Sequence, residues 1–420
     1  METREHAQGI EAENRCHQRE CPQGETIVKD DPRSALLTWI EIDEAALASN
    51  LRYFRSRLAR DVSLQAVIKS NAYGHGLEQV ARIAARSGAD SFGVHTAEEA
   101  LQVSHLQLGK PVLVLGYVGP AQAQTAVAAQ ADVTVYNITS LEALSAAARA
   151  AGRVIGCHVK IETGAGRQGI MPHDLDAFLD ALARFPALSL AGVSTHFANI
   201  EDTTDHRYAR LQLERFQELS EAVRRRAPEA RRHCACSAAI LTMHETSFDM
   251  VRVGIGLYGL WPSKETLLSC LLHGREEAPL RPVLTWKTRI AQIKTLPAGS
   301  FVGYGCSHRT ARPTRLAVLP IGYADGYDRR LSGIGRVLVG GSRAPVLGRI
   351  CMNMMMVDVT DAEGAQTDAE VVLIGRQGSE EIGVEQIAGI CNTIVYEIVA
   401  RISPQIVRVV VGADGSVVAT

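Results

Sequence analysis

No apolar stretch in these 420 residues approaches the ~20 residues that a membrane-spanning helix needs. No lysine- and arginine-rich run with interleaved aromatics occurs, and the formal net charge is −2, so nothing favours nucleic acid or another polyanion as a partner. The first residues, M-E-T-R-E-H, are polar and lack the apolar core of a secretory signal, so the expected location is the cytoplasm. The nine cysteines are odd in number and scattered, and in a reducing compartment they read as free thiols. Cys234 and Cys236 form a C-x-C with no second pair and no H-x-x-x-H nearby. A tetrahedral zinc site needs four ligands, so no metal is expected and the pair reads as neighbours on one face of a buried strand. There is no repeat of fixed period and no low-complexity tract.

What is present is an ordinary globular composition, 46% hydrophobic and 21% charged. Residues 1–36 are rich in Glu, Arg, Gln and Asp without apolar periodicity, and are expected to be a disordered polar extension. Order is expected from an alternating strand at 38–42 and a helix opened by Asp43 and running through Arg57. Short apolar strands at 64–68, 91–94, 112–115, 133–136, 156–161, 188–194, 233–236 and 250–253 then alternate with Ala-rich helical segments. Eight strands with intervening helices predict a (β/α)8 TIM-like barrel over 37–270. A doubly wound sheet is the alternative, but no G-x-G-x-x-G follows the first strand. Residues 271–420 change texture. Strand-like runs at 284–294, 316–321, 336–339, 345–350, 355–359 and 371–374, punctuated by Gly and Pro, precede one helical stretch at 384–402. They predict a C-terminal mainly β domain.

A barrel enzyme carries its reactive groups at the C-terminal ends of its strands. Here those ends carry Lys69, Lys160, His196 and Ser237, and the last strand contains Arg252 and runs into Gly254-Ile255-Gly256. A single lysine at a strand end is ordinarily a solvated surface group. Five such polar groups at one rim are harder to read that way. A lysine at a barrel mouth is partly desolvated, which lowers its pKa and makes its amine nucleophilic, as a Schiff base to an aldehyde requires. In A-V-I-K-S-N-A-Y-G-H-G (66–76), the Tyr73 hydroxyl and the two glycines are expected to let the chain approach a phosphate.

The run V-I-K-S-N-A-Y-G-H-G closely resembles the pyridoxal 5′-phosphate (PLP) lysine signature of the alanine racemase family. The resemblance continues in order through K-I-E-T-G-A-G-R-Q-G (160–169), T-H-F-A (195–198), R-V-G-I-G-L-Y-G (252–259), V-G-Y-G (302–305), P-I-G-Y-A-D-G-Y (320–327), G-R-I-C-M (348–352) and Y-E at 396–397. It covers about 38–410, across both expected domains. It implies a PLP enzyme with Lys69 as the Schiff-base lysine, interconverting L- and D-alanine and supplying D-alanine for peptidoglycan. It implies cofactor contacts at Tyr73, His196, Ser237, Arg252, Gly254, Ile255 and Tyr396, with Arg252 facing the pyridine nitrogen and His196 supporting it. Two bases work on opposite faces: Lys69, and Tyr304 supplied by the partner subunit of a homodimer. Arg167 maps to the arginine that contacts the cofactor's phenolic oxygen and the substrate carboxylate. Lys160 maps to a lysine often carbamylated in the family, and Met352 and Tyr323 map to the substrate entrance. Read without the resemblance, Tyr304 is a packing aromatic in a turn, and Arg252 is half of a buried ion pair whose acid the sequence does not name.

One departure bears on specificity. Many family members carry Asp after the C-M pair, and this chain has Asn353. A serine or broad-specificity racemase is therefore the alternative. A PLP decarboxylase of the same architecture is disfavoured because no W-G-P-T-C-D occurs. A non-catalytic PLP-binding protein is disfavoured by the full second domain.

Overall fold

The structure, a computed structural model, describes residues 31–272 and 279–418. Strand β1 (Thr38–Asp43) is followed by eight barrel strands: β2 (Ser63–Val67), β3 (Ser91–Val94), β4 (Val112–Val114), β5 (Asp132–Val135), β6 (Ile155–Lys160), β7 (Leu188–Ser194), β8 (Arg231–His233) and β9 (Met250–Val253). They pair in parallel in the order β8-β7-β6-β5-β4-β3-β2-β9. The ring closes between β8 and β9 through Asp249 N–H to Arg232 O (3.1 Å) and Arg252 N–H to Ala235 O (2.9 Å). Apart from β8, these strands are mainly apolar runs because helices cover them outside and side chains fill them inside. The expected strand at 233–236 is shifted: β8 ends at His233, so Cys234 and Cys236 lie past its end.

The second domain comprises β10 (Leu284–Arg289), β11 (Gln292–Leu296), β12 (Phe301–Val302), β13 (His308–Arg309), β14 (Thr314–Leu319), β15 (Arg336–Val339), β16 (Ser342–Leu347), β17 (Met355–Asp358), β18 (Glu370–Gln377), β19 (Glu380–Ile382) and β20 (Val407–Val411). Ten strands form one sheet, and β12–β13 make a separate hairpin. The first strand of the chain belongs here and not to the barrel: β1 lies between β10 (antiparallel) and β20 (parallel). The second domain therefore includes a strand from the expected span 37–270. The expected strand at 284–294 divides at Ile290–Ala291, where the chain leaves Ala369 and turns to Val318. The expected helix at 384–402 is two helices, Val384–Ile390 and Val395–Ala400, parted by Asn392 in the left-handed region.

Of the extension expected to lack order, residues 1–30 lie outside the described residues. Residues 31–36 are folded: a 3-10 turn, Pro32–Ala35, is capped by Asp31, and Arg33 Nη1 pairs with Glu41 Oε1 at 2.9 Å. Leu36 packs on the cluster of Trp39, Val409 and Val411. Composition misjudged this piece because it packs on β1 just after it and on Arg289 of β10 and Val409 and Val411 of β20, which lie far away in sequence.

Candidate active site

Lys69 follows β2, and the chain after it takes an unusual path. Ser70, Asn71, Ala72 and Tyr73 all have φ between 52° and 55°. Left-handed backbone costs roughly 1–2 kcal/mol per non-glycine residue, so four in a row must be held from outside. Asn71 Oδ1 accepts Leu77 N–H (2.9 Å) and Glu99 Oε1 accepts Ser70 N–H (2.5 Å). Arg408 of β20 donates to Gly74 O from Nη2 (2.8 Å) and Nε (3.2 Å). Gly74, one of the two glycines of this run, also serves packing. A Cβ on Gly74 (φ +81°) would stand 2.0 Å from Val399 O, so only glycine lets the turn lie on the helix Val395–Ala400. Burial first, then Arg167 and Arg252, hold the Lys69 amine below the ordinary lysine range, with Glu99 opposing them.

Packing on that helix brings Tyr396 to Tyr73, with ring centroids 6.2 Å apart. Burial raises both phenols, so both remain protonated donors. Ser237 opens the helix Ser237–Thr242, and its Oγ accepts Gly254 N–H (3.0 Å) and Gly256 N–H (3.3 Å), which leaves its own proton free to donate. A Cβ on Gly254 would lie 2.8 Å from the Tyr73 hydroxyl. Tyr73, Ser237 and Gly254 thus converge, and Ile255 follows directly.

Arg252 is 6% exposed, and no acid pairs with it among the described residues, so the ion-pair reading does not hold. Its Nη1 donates to His233 Nδ1 (2.7 Å) and His233 O (2.8 Å). Its Nη2 donates to Thr195 O (2.8 Å) and Cys234 O (3.1 Å), with His196 Nδ1 at 3.4 Å. A guanidinium only donates, so His233 Nδ1 must accept and its Nε2 carries the proton. That proton goes to His158 Nδ1 at 2.8 Å, and His158 Nε2 faces Asp132 Oδ2 at 3.6 Å. Burial, then Arg252, keeps His233 neutral, as this relay requires. Sequence reasoning missed His158, His233 and Asp132. The signal for His158 was the phase of β6, in which His158 and Lys160 point to the same face; Asp132 on β5 and His233 on β8 carried none.

Lys160 is buried, and burial, then Arg252 and Arg167, lowers its amine well below the usual range. Arg167 is exposed, in a loop held by Glu162, whose Oε1 accepts Gly164 N–H (2.5 Å) and whose Oε2 accepts Arg167 N–H (3.2 Å). His196 is likewise held neutral, by burial and then by Arg252.

Tyr304, Tyr323 and Met352 form a separate group on the second domain. Tyr304 lies in the β12–β13 turn and is 70% exposed. Tyr323 N–H and Ala324 N–H donate to Cys351 O (3.0 Å) and Met352 O (2.9 Å), so the segments carrying Tyr323 and Met352 lie side by side. Arg349 of the same segment lies against Gly305. Asn353 beside Met352 is exposed. No hydrogen bond, ring contact or cation–π contact joins Tyr304 to the barrel mouth among the described residues. No group of three or more His, Cys, Asp or Glu side chains could hold a metal there either.

The chain matches the family model for the alanine racemase N-terminal domain over residues 42–262 and that for the C-terminal domain over residues 283–410. It is 38% identical to an alanine racemase of Leptospira interrogans, across 92% of this chain and 98% of that one. It is 42% identical to an alanine racemase of Syntrophobacter fumaroxidans, across 87% and 95%. Among solved structures, the alanine racemase of Bacillus anthracis with bound L-Ala-P superposes with a TM-score of 0.82 at 33% identity, covering 91% of this chain and 97% of that one. The Bartonella henselae alanine racemase with covalently bound pyridoxal phosphate gives 0.76 at 27% identity, covering 90% and 100%. The chain belongs to the alanine racemase family, a PLP-dependent family whose barrel and mainly β domain it reproduces.

Proposed function

We propose that this chain racemises alanine with PLP held on Lys69. The observation that carries the reading is the convergence, at one barrel mouth, of a partly desolvated lysine with the donors an anionic, ring-bearing cofactor needs. The Tyr73, Tyr396 and Ser237 hydroxyls and the amide of Ile255 fit a phosphate, and Gly254, whose own N–H is held by Ser237 Oγ, leaves the cradle open where a Cβ would fill it. Bound there, PLP supplies an electron sink that acidifies the substrate's α-hydrogen.

Arg252 spends its Nη protons on carbonyls and imidazoles, which leaves Nε–H free to donate to the ring nitrogen of a bound cofactor. An arginine does not give up its proton, so that nitrogen would stay unprotonated. The His233–His158–Asp132 relay fixes the orientation of the guanidinium. Lys69, held low by burial and two guanidiniums, takes or returns the α-hydrogen on one face. Tyr304 does so on the other face. Its exposure and its separation from the barrel mouth favour delivery by a second copy of the chain, with Tyr323 and Met352 at the substrate entrance. Arg167 holds the substrate carboxylate. Lys160, kept neutral beside two arginines, is suited to take up carbon dioxide as a carbamate, releasing a proton and giving Arg167 an anion to rest on. The seven described cysteines are free, and no described helix is long and apolar enough to cross a membrane; both suit a cytoplasmic enzyme.

The test is a racemase assay against a panel of L-amino acids, with solvent-deuterium exchange on Tyr304→Phe. Alanine should be the preferred substrate. The variant should still exchange the α-hydrogen of D-alanine while exchange from L-alanine falls by roughly 100-fold more. Equal loss from both enantiomers refutes the two-base assignment, and preference for serine refutes the substrate.

A further inference from the structure

Glu99 lies in the helix Ala97–His105, which follows β3, and neither the two-base chemistry nor the cofactor contacts use it. The pattern T-A-E-E at its start reads as a capping box, in which Thr96 accepts Glu99 N–H and the glutamate reaches back to the N–H of Thr96. Half of that box is built: Glu99 N–H donates to Thr96 Oγ1 at 3.2 Å. The carboxylate goes elsewhere. Oε2 accepts His95 N–H at 2.7 Å, and Oε1 crosses to the neighbouring loop and accepts Ser70 N–H at 2.5 Å. Ser70 directly follows Lys69 and is the first residue of the left-handed turn (φ 55°). The two oxygens therefore tie the loops after β2 and β3 together at the one peptide bond that aims Lys69.

We infer that Glu99 is a positioning residue for Lys69, fixing the Ser70 amide so that the lysine amine meets both the cofactor aldehyde and the substrate's α-hydrogen. The inference rests on the reading of Lys69 as the cofactor's lysine. It accounts for a carboxylate spent on a non-glycine left-handed turn instead of on its own helix. The nearby negative charge also opposes the burial and the two guanidiniums that hold the amine down.

The experiment compares full-length holoenzymes carrying Glu99→Ala, Glu99→Gln and, as a control on the exposed neighbour, Glu98→Ala. Steady-state kinetics, melting temperature and the visible circular dichroism of the bound cofactor are read for each. The dichroism reports how the cofactor ring sits relative to its lysine and does not depend on turnover. Glu99→Ala is expected to lose roughly 10–100-fold in kcat in both directions with KM little changed, and to alter the dichroism band. Glu99→Gln keeps one acceptor oxygen and is expected to recover part of both, and Glu98→Ala is expected to match the parent. Unchanged kcat and dichroism in Glu99→Ala overturn the inference. So does a lower melting temperature with an unaltered band, since that is a helix-capping role alone. Failure of the underlying reading is distinguishable: borohydride reduction of the parent enzyme would then fix the cofactor on a lysine other than Lys69.

Discussion

Arg408 is the strut between the two domains, and replacing it with methionine isolates what the strut does. The residue is 9% exposed and has no acidic partner among the described residues. Its guanidinium serves three carbonyls: Gly74 O through two bonds, Ser403 O at 2.7 Å and Ile406 O at 2.5 Å. Methionine keeps the apolar stem and strands all three. Hydrogen bonds from a charged donor contribute about 1.5–3 kcal/mol each, so three stranded acceptors represent a gross loss of about 4–9 kcal/mol. Against that stands the desolvation the guanidinium no longer suffers; burial pushes its pKa down to about 10, a sign that its charge is costly there. The expected net loss is about 2–4 kcal/mol in unfolding free energy, read by urea titration. Gly74 closes the left-handed turn that begins at Ser70, so kcat should fall as well, under conditions where the variant is fully folded. Arg408→Lys, with a single ammonium, should recover only part of each. Stability within 1 kcal/mol of the parent would refute the hydrogen-bond reasoning (about one hydrogen bond's worth). Lost stability with full kcat would show that the strut supports the sheet and not the lysine.

Three further outcomes are expected. His75 is fully buried and its pKa falls from 6.5 to about 4, so the unfolded chain takes the proton first. Its contribution is complete above pH 6.5 and is lost as pH falls towards 4, at up to about 1.4 kcal/mol per pH unit. His75→Asn should therefore lose less stability than the parent between pH 7 and pH 4.5, and parallel curves from urea titrations would count against it. A chain beginning at Asp31 should be more stable than one beginning at Leu37 by about 1–2 kcal/mol, since the second lacks the half-buried Arg33–Glu41 pair and Leu36; equal melting temperatures would show the turn to be idle. Mixing inactive Lys69→Ala with inactive Tyr304→Phe should restore part of the activity if each site draws on two subunits, and no recovery despite proven subunit exchange would place both bases within one chain.

The barrel was legible because its strands are buried on both faces and read as short apolar runs between amphipathic helices. The exception is β8: Arg231-Arg232-His233 has no apolar run, and only its place between β7 and β9 makes it a strand. The alternation at 38–42 announced a strand but could not name its neighbours, because pairing with β10 and β20 is decided by residues about 245 and 370 positions away. Lys69, Lys160, His196, Ser237 and Arg252 could be read from their strand positions, whereas Tyr396 entered through the family resemblance alone; the structure sets Tyr396 beside Tyr73, and Tyr73 beside Gly254 and Ser237. The relay behind Arg252 and the supports of the left-handed turn were not legible. Asp132, His158, Glu99 and Arg408 look like ordinary strand and helix polar residues until three-dimensional proximity gives each its partner. The glycines of the lysine motif were read for their permissiveness, but the close approaches they allow within the fold, Gly74 to Val399 and Gly76 to the Gln79 and Arg408 side chains, could not be read from the sequence.

The placement of β1 sets an order of assembly. Trp39, Ile40 and Ile42 leave the ribosome among the first described residues, yet the strand that flanks them on one side, β20, is among the last. At ordinary synthesis rates that wait is on the order of 20–70 s, long enough for a barrel to form in the interval. The nascent chain thus carries a barrel tethered to a strand that only β10 can pair until β20 arrives, with its other edge open to any strand it meets. The second domain is then closed by its earliest and latest segments together, so a message cut short before residue 407 leaves that edge bare and the turn after Lys69 without its Arg408 strut.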